Sequence, residues 1–190
     1  MQLNLEQTLA RFCAPSLAGI KAADLVPYDH GTSEEFFEAV YAYNRALNRN
    51  GLHFLPICGC GKRRLLLVYR TGVLSRCLSD PETTRQLKAL GYPVGGTLDE
   101  MLAHLVLRMR ENAEFPHEIG LFLGYPPADV AEFCRQKGRN CLCCGCWKVY
   151  SDVEKAQETF RRYKVCTAAL AAKICAGHTI KELFGTAQAV

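Results

Sequence analysis

The sequence predicts an α+β fold: a small mixed or antiparallel sheet of four to five strands covered by about six helices. Two observations carry this. Helix-capping signals followed by apolar residues at alternating spacings of three and four recur along the chain. Between them lie a few short apolar or alternating runs, of strand length, bounded by glycine and proline. With 190 residues and no repeat, low-complexity tract or linker, residues 1–190 are expected to form one domain with a full-sized core.

Each element has a local reason. Leu5, Leu9 and Phe12 mark a short amphipathic helix that Pro15 keeps from continuing. Asp24 to Tyr28 is a weak strand, and Pro27 suits only an edge. Thr32 and Glu35 form a capping box ahead of Phe36, Val40, Tyr43 and Leu47, and Gly51 closes that helix. His53 to Ile57 and Arg64 to Arg70 flank a Cys-Gly-Cys-Gly-Lys-Arg turn and read as a hairpin, with Pro56 asking that its strand lie at an edge or end early. Helices start at Pro81 and Pro127 and stop near Gly91 and Gly138. Thr97 and Glu100 cap a helix carrying Leu98, Met101, Leu102, Leu105 and Met109. Ile119 to Leu123 reads as a short buried strand, and Trp147 to Tyr150 as an alternating one. Ser151 and Glu154 open the longest helix, whose stripe of Val153, Ala156, Phe160, Tyr163, Thr167, Leu170 and Ile174 ends before Gly177. The segment from Gly91 to Gly96 is hinge-like but too short to separate domains.

Composition narrows the function classes. Hydrophobic residues make up 49% and charged residues 22%, an ordinary globular balance. The formal net charge of +4, from 23 basic and 19 acidic side chains, is too mild and too scattered to argue for nucleic acid. No signal-peptide pattern and no run of about 18 apolar residues is present, so a cytoplasmic, non-membrane protein is expected. In a reducing compartment the 11 cysteines are expected as free thiols, metal ligands or redox groups. An odd count cannot pair completely.

The densest chemical signal is Cys141-Leu142-Cys143-Cys144-Gly145-Cys146, two interleaved pairs of cysteines two residues apart. Tetrahedral zinc or an iron–sulfur cluster needs four such ligands, and Cys58 and Cys60 on the hairpin turn are candidates to complete the set. The spacing matches no known finger or ferredoxin pattern. In an extended strand, neighbouring thiols point to opposite faces, so only a turn lets them converge. Packing as small buried hydrophobes and redox pairing are the other readings of these thiols.

A second candidate is a Cys–His site in which Cys144 is the nucleophile and His117 the base that holds its thiolate. Glu118 is the adjacent carboxylate, able to orient the ring only if the chain bends there. Lys148 shares strand parity with Cys144, but four extended residues separate their α-carbons by roughly 13 Å. Cys13 reads as a packing cysteine or a nucleophile in a tight turn, Cys166 as a packing cysteine, Trp147 as a core residue, and the basic hairpin tip at Lys62-Arg63-Arg64 as a solvated turn or a site for a phosphate or an acidic partner.

Three stretches carry a family resemblance: His117-Glu118-Ile119-Gly120-Leu121-Phe122-Leu123-Gly124-Tyr125-Pro126, Cys144-Gly145-Cys146-Trp147-Lys148-Val149-Tyr150, and Lys164-Val165-Cys166-Thr167. Cys13-Ala14-Pro15-Ser16-Leu17-Ala18-Gly19 is similar too. Together they resemble a bacterial domain of unknown function, family 3793, found largely in anaerobes. The resemblance implies no particular cofactor or catalytic residue. Its association with gene neighbourhoods for iron uptake and flavodoxin implies iron or redox biology, with a redox protein such as flavodoxin as partner. It also places Cys13, Cys144 and Cys166 at motif positions and marks Cys58, Cys60, Cys141 and Cys146 as additions in this chain. A cysteine-centred binding or redox role, a thiol enzyme and a plain interaction module are the three functions that follow.

Overall fold

The computed structural model describes residues 4–58, 64–111 and 115–185. Its contacts divide the chain into two compact units, one of residues 1–73 with 165–190 and one of residues 74–164.

The first unit begins with α1 (Leu5–Phe12), capped by a reciprocal Asn4–Gln7 box, and a short α2 (Ala14–Leu17). Then come β1 (Ala23–Tyr28), α3 (Ser33–Leu47), β2 (Leu52–Cys58) and β3 (Arg64–Arg70). The three strands form an antiparallel sheet in the order β1-β3-β2. Pro27 and Pro56 therefore both sit on edge strands, where a missing ladder donor costs least. The α3 capping box forms between Thr32 and Glu35. Asn44 on α3 meets the edge of β2 as a fourth strand would: its amide donates to the Phe54 carbonyl (2.8 Å) and accepts from the Phe54 N–H (2.9 Å). That pairing satisfies edge groups otherwise left open. Leu9, Leu17, Phe36, Leu47, Leu66 and Val68 meet in the core, joined by Leu170 and Ile180 from the C-terminal segment.

Two arginines help to close the loops of this unit. Arg64 is buried and donates to the carbonyls of Tyr28, His30 and Gly31. The expectation of a solvated basic tip is thus corrected for Arg64: a forked guanidinium serves several carbonyls at once. Arg70 holds the Leu17 and Asn50 carbonyls in the same way.

Cys13 is fully buried between α1 and α2. Burial, with the Asp24 carboxylate adding, pushes its thiol well above the usual range. An acid whose folded pKa is raised contributes stability that is whole below the unfolded pKa and is lost as pH rises above it. Stability is therefore expected to fall above about pH 9, the ordinary thiol value. Replacing Cys13 with Ala should flatten that fall by up to about 1.4 kcal/mol per pH unit, measured by urea denaturation from pH 8 to 11. An unchanged alkaline slope would contradict this.

The second unit holds most of α4 (Thr71–Leu78), then α5 (Pro81–Ala89), α6 (Leu98–Glu111), a single-turn α7 (Ile119–Phe122) and α8 (Pro127–Gln136). A two-stranded hairpin, β4 (Cys143–Cys144) with β5 (Lys148–Val149), precedes α9 (Val153–Cys175), and α10 (Ile180–Gly185) lies in the first unit. Thr97 and Glu100 cap α6 reciprocally, as expected. Leu74, Leu87, Leu105, Leu121, Phe122 and Val149 are buried. Among the described residues no helix is long and apolar enough to cross a membrane.

Four expectations need correction. The five strands divide into sheets of three and two rather than one sheet of four or five. The described residues hold ten α-helical segments rather than about six, because short turns such as α2 and α7 count among them. Ile119 to Leu123 is buried, but as a helical turn; Gly124, with φ of 76°, ends it and the Tyr125 N–H returns to the Gly120 carbonyl. Finally, α9 is capped by Asp152, which accepts from the Lys155 N–H, because the Ser151 hydroxyl is engaged elsewhere.

Candidate functional site

The 74–164 unit carries a half-open cavity of about 450 Å³ between α7, α8 and the β4–β5 hairpin. That volume suits a small organic molecule. Each wall has a sequence reason. The α7 turn supplies Ile119 and Leu123, and Gly120 lets Val130 and Tyr125 close in: a Cβ there would lie 2.9 Å from Val130 Cγ2. Pro126 and Pro127 break the chain and start α8, which contributes Val130 and Phe133. The hairpin contributes Cys144, Gly145, Trp147 and Lys148.

Aromatic rings dominate the lining. Tyr125 stacks on Trp147, with centroids 5.1 Å apart and planes inclined by 27°. Trp147 meets the edge of Phe160 at 4.6 Å. His117 meets Phe133 edge-on at 5.0 Å, and Phe115 stands half-exposed beside them. Each such pair adds about 1 kcal/mol beyond the area it buries.

Asp129 is the anchor of this arrangement. It is 2% exposed, and three donors converge on it: Trp147 Nε1 (2.8 Å), the Tyr150 N–H (2.9 Å) and the Ser151 hydroxyl (2.8 Å). The carboxylate thereby fixes the indole, the exit of β5 and the approach to α9 together. Beside it the Tyr150 hydroxyl oxygen is enclosed, with no hydrogen-bond partner among the described residues. Burial first, then nearby Cys141, Glu132, Asp129 and Cys144, push that phenol above its usual range.

The hairpin revises the reading of Lys148. Gly145 and Trp147 form a tight return, the Gly145 N–H donating to the Trp147 carbonyl at 3.0 Å. Cys144 and Lys148 are consequently cross-strand partners, their Cβ atoms about 5 Å apart rather than far along one strand. The Lys148 ammonium donates to the Gly138 carbonyl at 2.6 Å and lies 5.9 Å from the Phe133 ring centre. Gly138 can offer that carbonyl because Lys137 and Gly138, with φ of 50° and 72°, reverse the chain after α8.

Of the expected site residues, Cys144 and His117 line the same cavity, and both are exposed. Glu118 is turned elsewhere: it is buried, accepts from Arg108 Nε at 2.5 Å and from the Tyr92 hydroxyl at 3.3 Å, and is absent from the lining. Cys141, Cys143 and Cys146 belong to the hairpin region but do not line the cavity. Cys58 ends β2 in the first unit, and Cys60 lies outside the described residues. Among the described residues no three His, Cys, Asp or Glu side chains are grouped to hold a metal ion.

Sequence reasoning missed Tyr125, Asp129, Phe133 and the cavity role of Trp147. Asp129 in the first turn of α8 looks like an ordinary helix-dipole acid. Its separation from Trp147 gives no periodic signal. The one available hint was the Tyr-Pro-Pro break, which forces a corner beside the Gly120 turn.

Many of the residues that line this cavity, from His117 to Tyr125 and from Cys144 to Lys148, fall in the quoted motifs. The chain belongs to the DUF3793 family. The family model, described as a protein of unknown function, matches residues 9–184. No curated protein and no solved structure matches the chain. Within this DUF3793 chain, the His117–Pro126 and Cys144–Tyr150 motifs supply α7 with its turn and the hairpin, two of the three walls of the cavity.

Proposed function

We propose that this DUF3793 protein is a cysteine-centred binding protein whose 74–164 unit takes up a small, largely apolar molecule against the Cys144 thiol. One observation carries the reading: an aromatic-walled cavity of about 450 Å³ with Cys144 and His117 in its lining. An apolar body gains by leaving water for such walls, roughly 25 cal/mol for each Å² buried. The few polar groups at the wall then fix its orientation.

The test uses Trp147, the chain's single tryptophan, as reporter, with 2-naphthalenemethanol as a neutral probe. The probe is expected to change Trp147 fluorescence saturably. At saturation it should slow iodoacetamide labelling of Cys144 at least fivefold, read by peptide mass spectrometry, while Cys175, exposed at the end of α9, keeps its rate. No saturable signal, or an unprotected Cys144, contradicts the proposal.

A second reading, a thiol-dependent enzyme with Cys144 as nucleophile and His117 as base, is favoured by their shared cavity and by Lys148 standing opposite Cys144. It predicts that Cys144 labels at least ten times faster than Cys175 near pH 7 and that His117→Asn removes the difference. Equal rates in the unaltered protein contradict it. Glu118 has no part in either reading, because its carboxylate is committed to Arg108 and Tyr92.

A further inference from the structure

We infer that the molecule this cavity takes is an organic anion with a flat aromatic body, its acidic group held by the Lys148 ammonium. The inference rests on the binding reading above and adds the ligand's shape and charge.

The shape follows from the walls. The Tyr125–Trp147 stack and the Phe133 ring, set among Ile119, Leu123 and Val130, offer aromatic and branched aliphatic contacts. A planar ring stacks favourably on such surfaces.

The charge has to be argued against a competitor, because aromatic walls by themselves attract cations. Three facts point the other way. The carboxylate in the lining, Asp129, already accepts from Trp147, Tyr150 and Ser151, so its lone pairs are largely spent within the fold. The face of Phe133 already has a cation near it, Lys148 itself, which would repel a second one. The ammonium carries three donors and gives one to the Gly138 carbonyl. Two remain for an incoming oxygen anion. That carbonyl also restrains the long side chain beside the cavity, so little further ordering is needed on binding. His117, exposed in the same lining, adds a ring N–H within the site.

Three naphthalene probes of one shape test this by Trp147 fluorescence: 2-naphthoate, 2-naphthalenemethanol and 2-naphthylmethylammonium. Naphthoate is expected to bind at least tenfold more tightly than the alcohol, and the ammonium more weakly than the alcohol. In Lys148→Met the naphthoate-to-alcohol affinity ratio should fall to within twofold of one, whereas Lys148→Arg should keep a ratio of at least five. Raised salt should weaken naphthoate alone. An alcohol that binds as tightly as naphthoate, or an ammonium that binds tightest, overturns the inference and leaves the binding reading standing. Failure of all three probes to bind overturns the binding reading and this inference with it.

Discussion

Replacing Asp129 with Ala is expected to cost the 74–164 unit about 3 kcal/mol or more, the largest effect of any single polar substitution in the cavity wall. The change removes the acceptor of three donors at once: the indole N–H of half-buried Trp147, the backbone N–H of half-buried Tyr150, and the hydroxyl of Ser151, an exposed residue that can turn to water. A donor left buried without a partner carries its full desolvation penalty, and bonds to a charged acceptor are the stronger kind. Asp129→Asn should lose less, since one oxygen still accepts while the amide nitrogen faces donors on its other side. Urea denaturation measures both, and Trp147 emission should shift to the red as the indole loses its anchor. A loss below about 0.5 kcal/mol in Asp129→Ala, with emission unchanged, would contradict the anchoring role.

The second large effect is expected at Gly145. A Cβ built there collides with the Cε2, Cδ2 and Cζ atoms of Phe160. Phe160 has Trp147 against it at 4.6 Å, and Trp147 in turn stacks on Tyr125, so the ring is blocked on that side. Overfilling a packed site of this kind costs about 1–3 kcal/mol. Gly145→Ala should therefore lower stability by about 2 kcal/mol and weaken 2-naphthalenemethanol binding, because the displaced Trp147 is part of the wall. Trimming the obstacle should restore part of both losses, so that Phe160→Leu combined with Gly145→Ala is more stable than the two separate costs add up to. Strict additivity in this double-mutant cycle would show that the glycine is required for another reason.

Most of the first unit was legible in the sequence because its signals are local. The Thr32–Glu35 box formed as written, and the strands carrying Pro27 and Pro56 did take the two edges. The errors fell where short segments depend on what they pack against. Ile119 to Leu123 is an apolar run too short for its period to separate strand from helix. The glycines at 120 and 124 decide for a helical turn, one by admitting Val130 and Tyr125, the other by its left-handed φ. Likewise the thiol cluster hides a reversal at Gly145, and only that reversal brings Lys148 opposite Cys144. The candidate pair Cys144 and His117 was found from residue chemistry, and the cavity that joins them depends on Asp129 and on rings scattered from Phe115 to Trp147. Long-range convergence of that sort leaves no spacing to read.

The central claim, that the 74–164 unit binds a small molecule between α7, α8 and the hairpin, is tested most directly by amide and indole chemical shifts on adding 2-naphthalenemethanol to the full chain. The account predicts saturable shifts at the Trp147 Nε1–H and at the backbone N–H groups of Gly120, Gly145 and Lys148, with Leu66 and Val68 of the β-sheet core unmoved. Shifts centred instead on the exposed Phe37 and Tyr41 of α3, with the Trp147 indole unmoved, would contradict it.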